Sequence, residues 1–246
     1  MYLKLISCDV LARPAYYCAA FSPHTVDIEL LQKGLHAKPE NLRAELSGRL
    51  AKIEPGQYDA ILLGYGLCSN SIAGLCSAHT PIVVPRAHDC ITLFLGSCER
   101  YASEFRANPG TYWYTPDYLE RGGAAGDVVA LGATTGDDME TVYAEYVIKY
   151  GQDNADYLME VMGAWTQHYN RAVYIRTQEV TFPDLSTQVR EVADRRGWNF
   201  IELAGSLILI RDLLYGAWDQ ERFLIVPPGH VIEPTNDAAI VGQHLG

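Results

Sequence analysis

Three cysteines hold one kind of address in this sequence. Cys8 follows the apolar run Tyr2 to Ile6, Cys68 follows Leu63-Gly-Tyr-Gly-Leu67, and Cys90 follows Val84-Pro-Arg-Ala-His-Asp89. Each comes at the end of a stretch that reads as a strand. In an open parallel sheet, ligands bind in the crevice beyond the carboxyl ends of the strands. Thiols at that address converge there if their strands are parallel neighbours. Their spacing is that of whole β-α units, not of a tight Cys-x-x-Cys knuckle. In the run His88-Asp89-Cys90 an imidazole stands beside the third thiol. Soft thiolates with an imidazole select zinc or an iron–sulfur cluster. Cys8, Cys68, His88 and Cys90 are therefore the expected metal ligands. Three of them leave zinc an open position for substrate, and four close the site as a structural one. Three cysteines alone also suit a [4Fe-4S] cluster with one iron free, and that alternative stays open. The ordinary role of a buried cysteine as a small core residue stands beside both.

The neighbours of Cys90 add candidate catalytic groups. His88 is the fourth ligand or an acid–base group. Arg86 is expected to neutralise the thiolates or hold an anionic substrate. Asp89 is expected to cap a helix starting at Cys90, whose dipole would lower that thiol's pKa. The run from Gly64 to Gly74 follows a strand and is expected to open a helix. Gly64, Gly66 and Asn70 are its candidate cofactor-binding residues, through backbone N–H groups facing an anion. It is neither a Walker motif nor a dinucleotide fingerprint. Between Pro109 and Pro116, Tyr112 and Trp113 are candidate substrate contacts on a rigid aromatic loop. His230, in Pro227-Pro-Gly-His230, faces the same cleft if the second half mirrors the first. Cys18, Cys76 and Cys98 read as ordinary core or surface residues.

Positioning such a site takes an α/β fold. Short apolar runs at Tyr2–Ile6, Val26–Leu31, Tyr58–Leu63 and Pro81–Pro85 read as strands. Helical spacing of Leu42, Leu46, Leu50 and Ile53 follows Pro39, and a helix is expected from Ile91 to Arg106. Later runs at Arg171–Ile175, Trp198–Leu203 and Phe223–Val226 alternate with helices over Leu185–Arg195 and Ser206–Tyr215. The expected fold is α/β, with mostly parallel sheet or sheets, flanking helices and an option of two pseudo-repeated lobes. The expected division is residues 1–110 as an α/β lobe, 111–168 as a loop and helical linker, and 169–246 as a second α/β lobe, with one compact domain as the alternative. A helical pair is expected from Asp138 to His168, with Asp137-Asp138 at its start.

Composition narrows the partners. The chain of 246 residues carries a formal charge of −11, with 48% hydrophobic and 20% charged residues. That is a globular composition with an acidic surface, which repels nucleic acid and anionic membranes. No apolar run reaches the ~18 residues of a membrane span, and the N-terminal stretch is too short for a signal sequence. The expected location is cytoplasmic. There, cysteines serve as core residues, redox groups or metal ligands rather than as a disulfide scaffold.

Several runs together resemble a known family: Leu35-His-x-x-Pro39, Gly64-Tyr-Gly-Leu-Cys68, Pro85-Arg-Ala-His-Asp-Cys-Ile91, Leu95-Gly-Ser97 and Pro109-Gly-Thr-Tyr-Trp113. Tyr150-Gly-x-Asp-Asn-Ala155 and Pro227-Pro-Gly229 fit the same picture. The resemblance is to an uncharacterised bacterial and archaeal family, domain of unknown function 1638. Its members often accompany corrinoid-dependent methyltransferases, which implies one-carbon metabolism and a corrinoid protein or methyltransferase as partner. No catalytic residues carry over from it. His88-Asp89-Cys90 with a distant cysteine is also similar in ligand type to zinc enzymes that methylate thiols, although the ligand order differs. The expected function is a metal-dependent transfer of a methyl or sulfur group on a small substrate. The alternatives are a three-cysteine cluster protein and a non-catalytic metal- or corrinoid-binding accessory protein.

Overall fold

The computed structural model describes residues 1–121, 169–180 and 184–246, together with Val147, Gly151 and Gln152. The helical pair expected from Asp138 to His168 lies outside the described residues. The chain forms two compact units that interleave along the sequence. The first comprises Met1–Tyr101, Thr177–Thr181 and Gly205–Gly246, and the second Ala102–Arg176 and Phe182–Ala204. This partition differs from the linear one at 110 and 168, because the chain returns to the first unit at Gly205.

The first unit is built on a five-stranded sheet. Its strands are β1 (Tyr2–Cys8), β2 (Thr25–Leu31), β3 (Ala60–Gly64), β4 (Ile82–Pro85) and β8 (Phe223–Val226), in the order β2-β1-β3-β4-β8. The first four are parallel, and β8 runs antiparallel to β4. Every residue of β3 and β4 is buried, as befits inner strands covered on both faces. At the edge, β2 is only half-buried along most of its length. Helix α1 (Ala12–Ala20) links β1 to β2, and α2 (Pro39–Leu50) carries the chain back past β1 to β3. Pro39 occupies the first turn of α2, and Leu42, Leu46 and Leu50 are its buried face. Burying each such leucine is worth about 2 kcal/mol. The strand order reverses between β1 and β3. That makes their carboxyl ends the topological switch point of the sheet, where such folds open a crevice.

Two short helices follow β4. Where one helix is expected from Ile91 to Arg106, there are α3 (Cys90–Leu95) and α4 (Cys98–Ala107). Gly96 divides them in a left-handed cap with φ of 75°, the conformation in which glycine ends helices. A ribbon of β9 (His230–Pro234) and β10 (Val241–Leu245) completes the unit. It is tied to the segment after Cys68 by Gly74 N–H to Ile232 O at 2.8 Å and Ile232 N–H to Leu75 O at 3.0 Å.

The second unit holds a parallel three-stranded sheet, β5 (Thr111–Tyr114), β6 (Arg171–Arg176) and β7 (Asn199–Ala204). Helix α5 (Pro116–Glu120) follows β5, and α6 (Ser186–Arg196) packs on β6 and β7. Tyr114, Ala172, Tyr174, Val189 and Ala193 form its core. The expected aromatic loop is thus a buried strand. The mirrored second half is not formed either. Its third strand, β8, leaves for the first sheet and lies antiparallel there. Helix α7 (Ile208–Leu214) precedes β8 and packs on α1. Among the described residues no helix is long and apolar enough to cross a membrane.

Candidate functional site

The three strands β1, β3 and β4 deliver the thiols to one end of the first sheet. Cys8 is the last residue of β1, and Ser7 before it pairs with Gly64, the last of β3. Gly64 is needed for that approach, since a Cβ there would lie 2.2 Å from Ser7 Oγ. The chain then runs through Tyr65 to Gly66, where a Cβ would meet Asp89 N at 2.6 Å. Two hydrogen bonds lace this loop to the one after β4: Leu67 N–H to Ala87 O at 2.7 Å, and Cys68 N–H to His88 O at 2.8 Å.

No helix starts at the glycine-rich turn. Cys68, Ser69 and Asn70 instead take φ of 46°, 56° and 65° in succession. A non-glycine residue pays about 1 kcal/mol or more to sit in that region. The turn is held by Ser71 Oγ donating to Cys68 O at 2.6 Å and by Arg43 donating to Asn70 O at 2.7 Å. The N–H groups of Leu67, Cys68, Ser71, Ala73 and Gly74 all donate to protein carbonyls. These five N–H groups of the turn are thus used within the protein. Gly64 and Gly66 serve close packing of the chain on itself.

Asp89 caps α3 as expected. Its Oδ1 accepts from Ile91 N–H at 3.0 Å and Thr92 N–H at 3.4 Å, and its Oδ2 accepts from Tyr101 O–H at 3.1 Å. Cys90 begins the helix. Burial pushes the pKa of its thiol well above the ordinary value, and Asp89, Cys68 and Cys8 push it further. With six residues, α3 is too short for its dipole to outweigh that. Cys68 is raised too, first by burial and then by Asp89 and Cys8. Burial also raises Asp89, against the pull of its hydrogen bonds from Tyr101, Thr92 and Ile91. Each thiol thus lies within electrostatic reach of another, and Cys90 feels both others.

Tyr65 stands among them. It is 4% exposed, and its hydroxyl has no hydrogen-bond partner among the described residues. Burial raises its pKa most, followed by Cys8, Cys68 and Asp9. A buried hydroxyl left without a partner costs about 1–3 kcal/mol. Sequence reasoning passed over this residue. The available signal was its place between Gly64 and Gly66, which lets a large ring sit where the backbone is crowded.

The other expected site residues have surroundings of their own. His88 is exposed, with its ring centroid 6.3 Å from that of Tyr101. Arg86 is spent on the C-terminal segment, donating to Gln220 O at 2.9 Å, to Ala239 O at 3.0 Å and to Val241 O. It fastens the ribbon rather than facing the thiols. Tyr112 and Trp113 lie on β5 of the second unit, where Tyr112 packs edge-on to Tyr169 at 4.5 Å. His230 begins β9, with Nδ1 3.4 Å from Pro228 O. Among the described residues, no three His, Cys, Asp or Glu side chains are arranged as a ready metal-binding group.

The family described as "Protein of unknown function (DUF1638)" matches residues 30–214, a span that includes Tyr65, Cys68, Asp89 and Cys90 but not Cys8. No curated protein and no solved structure matches the chain.

Proposed function

The chain belongs to that family of proteins of unknown function, and from this premise we propose that its strand-end crevice is a thiolate site for a soft metal ion, zinc first, serving a reaction on a small substrate. One observation carries the reading. Cys8, Cys68 and Cys90 come from three neighbouring strand ends at the switch point, and their thiols influence one another. The donor set suits a soft cation. The unpartnered Tyr65 hydroxyl adds a hydrogen-bond donor for a further ligand. A bound zinc ion would supply Lewis acidity and hold thiolates at neutral pH. The protein's residues do the rest. Tyr65 orients the bound substrate through its phenol O–H, Asp89 holds Cys90 at the start of α3, and the laced loops keep Cys68 beside both. The reaction class proposed is methyl or sulfur transfer. The partner proposed with it, a corrinoid protein or methyltransferase, is what the resemblance implies.

The test is metal content after anaerobic purification, with acid-labile sulfide measured beside it. About one zinc per chain is expected on purification, reduced in Cys8→Ser, Cys68→Ser and Cys90→Ser, whose weakened sites still titrate with added zinc, and kept in Cys76→Ser. Full metal in all three variants would refute the site. A second reading is a [4Fe-4S] cluster on the same cysteines, favoured by three thiols that follow strands ending on one edge of the sheet. Iron with matching sulfide and absorbance near ~400 nm would select it.

A further inference from the structure

A pocket of about 440 Å³ opens between α1 and α7, within the first unit and apart from the thiol crevice. That volume is in the range of small-molecule sites. Tyr17, Phe21 and Tyr215 contribute aromatic walls, Cys18 lies at its floor, and Glu179 and Arg211 are its charged members. The rings of Tyr17 and Phe21 meet at 5.2 Å with planes 59° apart, so they present two differently oriented faces. Phe21 is 65% exposed, so much of its ring is open to a ligand.

The charges are not balanced. Arg211 donates from Nε and Nη2 to Asp212 Oδ1 at 2.9 and 2.8 Å. Asp212 Oδ2 also takes Arg222 at 2.6 Å, and Arg222 in turn holds Asp219. These two arginines and two aspartates neutralise one another. Glu179 has no ion pair or hydrogen bond among the described residues. The field at the pocket floor reports the same excess. The Cys18 thiol is pushed up to about 12, first by burial and next by Glu179, with the opposing pull of Arg211 smaller. Aromatic faces beside an uncompensated carboxylate are the environment that attracts organic cations.

We infer that the pocket between α1 and α7 binds a small alkylated ammonium ion, with Glu179 as counter-ion and Tyr17, Phe21 and Tyr215 as aromatic walls. Such a cation suits the site better than a metal ion, because its nitrogen-bound methyl groups fill apolar space that a hydrated ion leaves empty. A neutral ligand would leave the carboxylate unused, and an anion would face it directly. The inference is independent of the thiol reading.

The experiment is a calorimetric titration of the intact chain with three isosteres: choline, its analogue with carbon in place of nitrogen, and pivalate. Choline is expected to bind, and the neutral analogue to bind about tenfold more weakly or not at all. Glu179→Gln and Phe21→Ala are each expected to weaken choline by about threefold to tenfold. Both residues are on the surface, so folding is preserved. Tyr16→Ala, on α1 but outside the pocket and 56% exposed, is expected to change nothing. Equal binding of choline and the neutral analogue would overturn the charge reading. Preference for pivalate would assign the pocket to anions through Arg211. Failure of all three to bind, or choline binding untouched by both pocket variants, would remove the site.

Discussion

Metal binding by the three thiols, as proposed, would release protons, and their number follows from the ligand set. The ligand is the thiolate, not the thiol. An ordinary cysteine is about 97% protonated at pH 7, from a pKa of about 8.5. Cys68 and Cys90 are held higher still by burial and by Asp89. Each ligating cysteine therefore gives up close to one proton, about three per metal. The apparent affinity should then rise about a thousandfold per pH unit between pH 6 and 8, since each proton contributes about tenfold. Zinc titration calorimetry in two buffers of different ionisation enthalpy reads the count directly. Cys68→Ser should lower the count by about one and flatten the pH slope to match. Release of less than about one proton per zinc would refute the reasoning, because it would mean that the thiols either are not ligands or are already thiolates. A full count left unchanged in Cys68→Ser would place the metal elsewhere.

Tyr65→Phe removes a hydroxyl that has no partner; stability should stay level or rise by up to about 1 kcal/mol, metal content should be kept, and any transferase activity should fall. Retained activity would show that the phenol O–H does not touch substrate. Gly66→Ala places a methyl 2.6 Å from Asp89 N; it should cost about 1–3 kcal/mol in chemical denaturation and lower metal occupancy by parting the two loops. The metal-free protein should lose stability in alkali. Thiols raised in the folded state keep protons that the unfolded chain releases above pH ~8.5, so folding weakens as pH climbs, by at most about 1.4 kcal/mol per pH unit for each thiol. For Cys18, held near 12, the loss continues to about that pH, and Cys18→Ala should flatten the slope of denaturation free energy between pH 9 and 11.

What the sequence disclosed depends on how local each determinant is. The run Ala60–Gly64 is uniformly apolar because it is covered on both faces, and it was legible as a buried strand. The leucines of α2 were legible because only one face of that helix is buried. Helix α1 was not, since Ala12–Ala20 is short and carries no repeat of large aliphatic residues to mark its buried face. Strand β5 was hidden by its punctuation: Pro109, Gly110 and Pro116 announce a loop, yet Thr111–Tyr114 pairs with β6 more than fifty residues later. Direction was equally illegible for β8, whose antiparallel course is set by its partner β4. That Cys8, Cys68 and Cys90 follow strands ending on one edge of the sheet could be expected, because it requires only that β1, β3 and β4 run parallel, which they do. The exposure of His88 and the capture of Arg86 by the C-terminal segment were not legible in the sequence. Side-chain direction at a strand end depends on the following turn, and the ribbon that captures Arg86 lies more than a hundred residues away.

The turn at Cys68 ties these threads together. Asparagine visits the left-handed region readily, but cysteine and serine do so rarely, and here all three do so in a row. Glycine at any of them would relieve the cost. A regular helix entry after β3 would relieve all of it, but it would carry residue 68 away along the helix axis. The strained turn keeps Cys68 level with the carboxyl ends of β1 and β4, where its N–H can reach His88 O and its thiol can feel Cys8 and Asp89. Gly66 makes the same concession in packing, giving up a side chain so that the loops after β3 and β4 can touch. Tyr65 makes it in polarity, burying a hydroxyl without a partner. Strain, close approach and an unpaired donor each destabilise the fold, and within four residues they coincide at the switch point of the sheet. A core serving stability alone gains nothing from that coincidence. A site that must hold a thiol and a phenol beside a third strand end gains all three, and this is the physical case for function at this crevice.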